Sequence, residues 1–222
     1  MTTIMSDFKV DAKLVKELRE KSGAPMGDCL KALQETKGDM ENAFVVLRKR
    51  GMASDAKKAA RTTNEGTVGT YIHAGGKIGV LLELNCESDF VARTEDFQEL
   101  LRDIAMHIAA TDPRYIGKEE VTEADIEREK EIYRAQAAAS GKPPAIIEKM
   151  LEGKLGKFYE EFCLLEQPFI KEQTQSIAQI IATKVGKLGE NISIRRFARF
   201  KIGDPNFTVA TAKIVAEEVP QA

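Results

Sequence analysis

The side chains best suited to catalysis or metal binding are few and widely spaced in this chain of 222 residues. Histidine occurs twice, at His73 and His107, and neither has a cysteine or carboxylate at the spacing of a metal-ligand pair. Cysteine occurs three times, at Cys29, Cys86 and Cys163, which fits neither a disulfide framework nor a CxxC metal site. We therefore expect reduced thiols, no metal, no cofactor and no enzymatic activity.

One glycine-rich sequence, Gly75-Gly76-Lys77, has the ending of a phosphate-binding loop but not the rest of that motif. Lys77 is followed by Ile78 instead of Ser or Thr, and Tyr71 occupies the position of the motif's first glycine. We therefore expect no direct binding of a nucleotide.

Asp89 and Phe90 occupy a position that is typical of recognition residues. They follow a strand-like run at residues 77–86 and precede a helix that Thr94 is expected to cap. Loops between rigid elements commonly carry binding residues. The alternative is that Phe90 packs into the core, as most phenylalanines do, and that Asp89 caps a helix. The residues alone leave both interpretations open.

Two basic segments offer a different kind of binding surface. Residues 48–61 carry six basic side chains and one acidic, and residues 195–201 carry four basic side chains around Phe197 and Phe200. Either segment could bind RNA or an acidic partner. However, 33 basic against 35 acidic residues give a net charge of −2, which argues against a general nucleic-acid binder. We expect both phenylalanines to pack inward and the basic side chains to be solvated.

The elements that must position these residues begin with three short helices. Asp11 is expected to cap the first and Asp39 the third, which should end at Gly51. A bundle of this size is marginally stable alone, so we expect it to be attached to a larger unit. Its turn at residues 25–27 resembles the partner-binding loop of ubiquitin-associated (UBA) domains, although Met26 could equally be a core residue.

The expected fold class is α+β, with a UBA-like three-helix bundle followed by a core in which an antiparallel sheet of about three strands packs with helices. Residues 67–73 and 77–86 predict a β-hairpin, and residues 192–202 predict a further strand. Residues 171–187 and 208–219 each predict a helix. The expected domains are a bundle at 1–54, a basic linker at 55–65, a core at 66–203 with a helical hairpin at about 119–155, and a C-terminal tail at 204–222.

Five segments of the chain, in order, resemble motifs of the bacterial elongation factor Ts family. They are residues 18–19 with 22–33 (LR and SGAPMGDCLKAL), 65–68 (EGTV), 83–93 (ELNCESDFVAR), 167–169 (QPF) and 189–197 (GENISIRRF). Several motifs in the same order are far more specific than any one of them. The chain resembles the short form of the family, with a single core module that is expected to pair with a second copy.

The resemblance implies a guanine-nucleotide exchange factor for elongation factor Tu, which promotes the release of GDP so that GTP can bind. By the same resemblance, residues at two places would contact that GTPase. Four would act near the nucleotide and dislodge its Mg²⁺, namely Ser88, Asp89, Phe90 and Val91, and three would hold the GTPase domain, namely Arg19, Met26 and Lys58.

Two other functions stay open at this point. One is an RNA- or ribosome-associated protein that uses the basic segments, and the other is an adaptor that binds partners through the N-terminal bundle alone. Because the chain has no apolar run long enough for a signal peptide or a membrane span, we expect a cytoplasmic protein with no membrane partner.

Overall fold

Three helices and a helix-covered antiparallel sheet make up the fold. The computed structural model describes residues 10–22, 24–58, 60–138, 144–205 and 208–212. The bundle comprises α1 (Ala12–Ser22), α2 (Met26–Glu35) and α3 (Met40–Lys58). Its core consists of the buried side chains Val15, Leu18, Cys29, Ala32, Leu33, Ala43 and Leu47. The expected caps are present, because Asp11 accepts a hydrogen bond from the Lys13 amide and Asp39 accepts one from the Asn42 amide.

The third helix is longer than the sequence predicts. We expected it to end at Gly51, but α3 continues to Lys58 and so includes the first residues of the expected basic linker. A single glycine inside a helix costs only about 1 kcal/mol relative to alanine. Good helix formers follow it, among them Met52, Ala53 and Ala56. Local propensity therefore outweighs the cost of the glycine.

In the described residues the main sheet has four strands, β1 (Glu65–Ile72), β2 (Ile78–Cys86), β5 (Ile192–Lys201) and β6 (Thr208–Thr211). They lie in the order β1-β2-β5-β6, and every neighbouring pair is antiparallel. The predicted hairpin is thus confirmed as β1–β2. Two helices cover one face of the sheet, α5 (Glu95–Thr111) and α8 (Ile177–Leu188), and the shared core includes Leu82, Phe97, Ile104 and Ile181.

The prediction of a helix at residues 208–219 is wrong for its described part. Residues 208–211 form β6, and the remainder of that prediction from residue 213 onward lies outside the described residues. Ala210 is buried opposite Phe197, whereas Val209 on the other face is exposed. This alternation suits a half-buried strand, and the free edge of β5 supplies the hydrogen bonds that the strand needs.

A β-bulge in β5 determines which of its two phenylalanines is buried. Glu83 pairs with Arg196 and Leu84 pairs with Ile194, so Arg195 is an extra residue in the strand. The bulge shifts the alternation by one position, which places Phe197 on the same face as Ile194. Phe197 is buried, as predicted, whereas Phe200 lies three residues further along a regular part of the strand and faces outward. The expectation that both phenylalanines pack inward is therefore wrong for Phe200.

The same shift buries Arg199, whose side chain we expected to be solvated. That expectation is wrong, because Arg199 is only 6% exposed. Its guanidinium donates hydrogen bonds to the Ala109 carbonyl near the end of α5, with Nη2 at 3.1 Å, and forms an ion pair with Asp112 at 3.1 Å. A buried arginine is tolerated here because its charge is paired and its donors are used. Arg199 is therefore a structural residue.

The second half of the chain contributes two long helices and a short hairpin. They are α6 (Glu123–Ala138), α7 (Pro144–Phe162), β3 (Pro168–Phe169) and β4 (Glu172–Ser176). The expected helix start at residue 171 is wrong, because β4 occupies 172–176 and Ser176 caps α8 by accepting a hydrogen bond from the Gln179 amide. None of the described helices combines the length and the apolarity needed to cross a membrane.

His107 links α5 to the segment that carries β3. Its ring is fully buried, with Nε2 2.9 Å from Oε1 of Gln167, while the Ile170 amide donates to Nδ1 at 3.4 Å. Nδ1 must therefore be unprotonated, and Nε2–H is the donor to Gln167. Burial lowers the pKa of His107 from its ordinary value of 6.5.

We predict that this histidine makes the free energy of unfolding depend on pH on the acid side of its ordinary pKa. The folded state has the lower histidine pKa, so the unfolded state binds more protons, and the contribution of His107 is lost as the pH falls below about 6.5. Urea unfolding of the wild type should show this loss, and the His107→Gln variant should not. The exposed His73→Gln is the matched control and should behave as the wild type. Equal pH slopes for all three proteins would contradict the assignment.

Candidate functional site

Asp89 and Phe90 lie on a single helical turn, α4 (Asp89–Ala92), between β2 and α5. Val91 and Ala92 point into the core, and Val91 is 5% exposed. Phe90 points the other way and is 77% exposed. The alternative in which Phe90 packs into the core is therefore excluded. We call residues 89–90 the tip.

The residue that caps α4 is Ser88, and Asp89 lies one position inside the helix. Ser88 has an extended backbone, and its Oγ accepts a hydrogen bond from the Val91 amide at 3.4 Å. Thr94 caps α5 in the same way by accepting from the Phe97 amide at 3.3 Å, as predicted. Two caps in succession turn the chain sharply, and this turn leaves the tip projecting between them.

Among the residues that the structure describes, the carboxylate of Asp89 pairs with the exposed Arg93 one helical turn away. Arg93 Nη2 lies 2.8 Å from Asp89 Oδ2, and both side chains are largely exposed. Ion pairs of this kind contribute about 0–1 kcal/mol. Asp89 can therefore exchange Arg93 for a group on a partner at little cost.

Side chains from three directions hold the base of the tip. Glu190, in the turn between α8 and β5, accepts hydrogen bonds from the Ser88 amide (3.0 Å) and the Ser88 hydroxyl (2.7 Å). Gln98 of α5 donates to the Ala92 carbonyl at 2.7 Å. The Cys86 thiol donates to the Ser88 carbonyl at 3.0 Å, and burial raises the pKa of this thiol, which keeps it protonated.

The segment that joins the bundle to the sheet is attached to the same base. The Asn191 amide donates to the Glu87 carboxylate at 2.6 Å, and Arg61 lies 3.4 Å from the same oxygen. The Asn191 side chain in turn donates to the Arg61 carbonyl at 2.8 Å, and Asn85 donates to the Thr63 carbonyl at 3.2 Å. These contacts tie the connecting segment to the end of β2 and to the start of β5, the two strands next to the tip.

The other predicted contact residues lie on the bundle. Arg19 is exposed on α1, and Met26 is 49% exposed at the first position of α2, so Met26 is not a core residue. Lys58 is half-buried at the end of α3, where its Nζ donates to the Val185 carbonyl at 3.3 Å. The structure therefore groups Ser88–Val91 at one site and leaves Arg19, Met26 and Lys58 on separate helices.

The sequence does not predict a role for Glu190 or Gln98. Glu190 lies inside one of the five family-like segments, but an isolated Gly-Glu-Asn sequence after a helix gives no indication of its partner. Gln98 does not stand out in the sequence, because a polar residue is expected between the apolar positions of an amphipathic helix such as α5. Glu190 reaches the tip only because segments about a hundred residues apart pack together. Gln98 lies six residues after Ala92 and reaches its carbonyl because the chain turns between α4 and α5.

The part of the chain that the structure describes shows neither a metal centre nor a continuous basic strand. Within the described parts of the chain, no three His, Cys, Asp or Glu side chains are grouped so that they could bind a metal ion. On β5, Arg199 is buried and Arg196 Nε lies 2.6 Å from Glu83 Oε2, so two of the basic side chains there have partners within the chain.

The fold and the tip define an α+β protein in which a helical bundle is joined to a core that presents a projecting aromatic and acidic pair. Comparison with known proteins gives this class its family. The family described as Elongation factor TS matches residues 52–204. The chain belongs to the elongation factor Ts family.

Named relatives match nearly the whole chain. The elongation factor Ts of Koribacter versatilis is 66% identical over 97% of this chain and 98% of its own length. The elongation factor Ts of Solibacter usitatus is 61% identical over 88% of this chain and 92% of its own. The elongation factor Ts of Geobacter metallireducens is 55% identical over 89% of this chain and 91% of its own length.

Proposed function

We propose that the protein is the guanine-nucleotide exchange factor of elongation factor Tu, and that it promotes GDP release during translation elongation. Membership of the elongation factor Ts family supports elongation factor Tu as the partner. The observation that carries the mechanism is the exposed Phe90 on a firmly held base. A large aromatic side chain held in water by a rigid support is ready to enter another protein at little conformational cost.

Phe90 acts as a wedge in this proposal. Burial of a phenylalanine side chain is favourable by about 1.5–3 kcal/mol, so insertion between helices of the GTPase can offset some displacement of those helices. GDP and Mg²⁺ depend on a shaped set of backbone N–H groups and oxygen ligands. A shift of the elements that carry those groups weakens both, and the nearby Asp89 carboxylate disturbs the water around the metal.

The seven predicted residues take different parts in this mechanism. Asp89 and Phe90 contact the GTPase directly. Ser88 and the buried Val91 hold the tip in place from inside the chain. Arg19 and Met26 on the bundle bind the GTPase domain at a second position. These assignments follow the exposure of each side chain.

Lys58 has a further constraint, because it already donates to the Val185 carbonyl. An ammonium group has three N–H donors, so this bond leaves capacity for a partner. We assign Lys58 a double role, in which it fixes α3 to α8 and presents its charge to the GTPase.

Exchange then requires only a difference in binding, with no covalent step. The protein binds the nucleotide-free GTPase better than the GDP form, and reciprocity demands that it weaken GDP by the same factor. A hundredfold weakening corresponds to about 2.7 kcal/mol, which a few well-buried contacts can provide. GTP then binds the open site and releases the factor.

We predict that Phe90→Ala and Asp89→Ala each slow the stimulated release of GDP from elongation factor Tu, with the larger loss for Phe90. The reason is that each change removes a contact made only in the opened complex. Stopped-flow release of a fluorescent GDP analogue measures the effect. Ile132→Ala, which removes an exposed apolar side chain from α6, is the matched control and should match the wild type. Wild-type rates for both tip variants would contradict the proposed wedge.

We also propose that two copies pair through the uncovered face of the sheet. Leu81 and Val209 lie in one cross-strand row on this face, and Ile72 and Phe200 lie in the next. All four are exposed, although apolar side chains in adjacent rows normally mark a surface that another element covers. The resemblance to the short form of the family suggests a second copy as that element.

Pairing predicts a dimer in light scattering at micromolar concentration, and Phe200→Asp should shift the protein toward the monomer because it places a charge in the apolar face. Ile132→Asp, which adds the same single charge at an exposed apolar residue of α6, is the matched control and should leave the protein dimeric. A wild-type monomer with full exchange activity would contradict this proposal.

A further inference from the structure

The tip cannot fix its own orientation. Its helix, α4, has four residues, and a helix this short gains too little from its own hydrogen bonds to persist alone. The direction of Phe90 must therefore come from contacts made by other segments. The shortest of these contacts with the first residues of the turn come from Glu190.

Glu190 accepts two hydrogen bonds from one residue. Its two carboxylate oxygens take the backbone and the side-chain donors of Ser88, at 3.0 and 2.7 Å. A two-point contact fixes rotation as well as distance, and bonds to an ionised carboxylate are among the stronger hydrogen bonds in proteins. The Ser88 hydroxyl that donates to Glu190 also accepts from the Val91 amide, so the contact continues directly into α4.

The backbone on both sides of Glu190 is itself fixed. Gly189 ends α8 in the left-handed conformation, at φ 84°, and its amide donates to the Val185 carbonyl at 2.9 Å. Asn191 is buried, and its amide donates to Glu87. The carboxylate of Glu190 is therefore presented from a rigid turn, which makes it a support for Ser88.

We propose that Glu190 is a positioning residue for nucleotide exchange, because it sets the direction in which α4 presents Phe90 and Asp89. This inference rests on the proposed exchange function. Glu190 acts through Ser88 and the tip and makes no contact with the nucleotide. Loss of the carboxylate frees both Ser88 donors and allows the turn to rotate, so the tip meets the GTPase in the wrong orientation.

The first test measures stimulated GDP release as a function of factor concentration for Glu190→Ala and Glu190→Gln. The maximal rate should fall about tenfold or more for Glu190→Ala, because a small misplacement of a positioned group has a large effect on a rate. The concentration for half-maximal rate should change little, because the bundle contacts are intact. Glu190→Gln keeps one acceptor oxygen and should give an intermediate rate.

A matched control is Glu127→Ala, which removes a carboxylate paired with Arg134 on α6, away from the tip. It should leave both kinetic parameters unchanged. Circular dichroism and thermal unfolding establish the folded fraction of each variant. If Glu190→Ala does not fold, Glu190→Gln carries the test, and a wild-type maximal rate for Glu190→Gln then contradicts the inference.

A double-mutant comparison separates positioning from general destabilisation. If Glu190 acts through the tip, Glu190→Ala costs less maximal rate in a Phe90→Ala background than in the wild type, and the loss that remains is the part due to Asp89. An equal loss in both backgrounds would overturn the inference and make Glu190 a purely structural residue. If Phe90→Ala and Asp89→Ala both release GDP at the wild-type rate, the proposed wedge fails. If only Phe90→Ala slows release, the function stands and the positioning role of Glu190 is wrong.

Discussion

The central constraint on this structure is that the aromatic side chain of Phe90 stays exposed to water, and a rigid base keeps it there. A phenylalanine on a flexible loop would fold back onto the nearest apolar surface, because burial is favourable. Phe90 stays exposed because Val91, its neighbour on the same turn, is buried in the core and Ser88 is bonded to Glu190. The sheet, α5 and α8 together supply this base.

The bundle and the tip are linked through one junction, which fixes the two proposed contact sites relative to each other. Lys58 joins the end of α3 to α8, and Arg61 and Asn191 join the following segment to Glu87 at the base of the tip. A GTPase held by the bundle would therefore meet Phe90 at a fixed offset. Pre-arranged contacts of this kind lower the entropy that is lost on binding.

Sequence patterns predicted the supports of the tip better than the tip itself. The apolar spacing of α5 and its cap Thr94 depend on neighbouring residues, so the sequence alone was sufficient for them. Which of Phe197 and Phe200 is buried was not predictable, because it depends on a bulge that forms only against β2. The exposure of Phe90 and its support by Glu190 were not predictable from local patterns either. Both depend on the packing of segments that lie about a hundred residues apart in the chain.

The most direct test of the central claim is calorimetric titration of elongation factor Tu with this protein, once with the nucleotide-free GTPase and once with the GTPase saturated with GDP and Mg²⁺. The wedge account predicts much weaker binding to the GDP form, by the same factor by which the protein weakens GDP binding. Equal affinities for the two forms would show that the tip and the nucleotide do not compete, and would contradict the account.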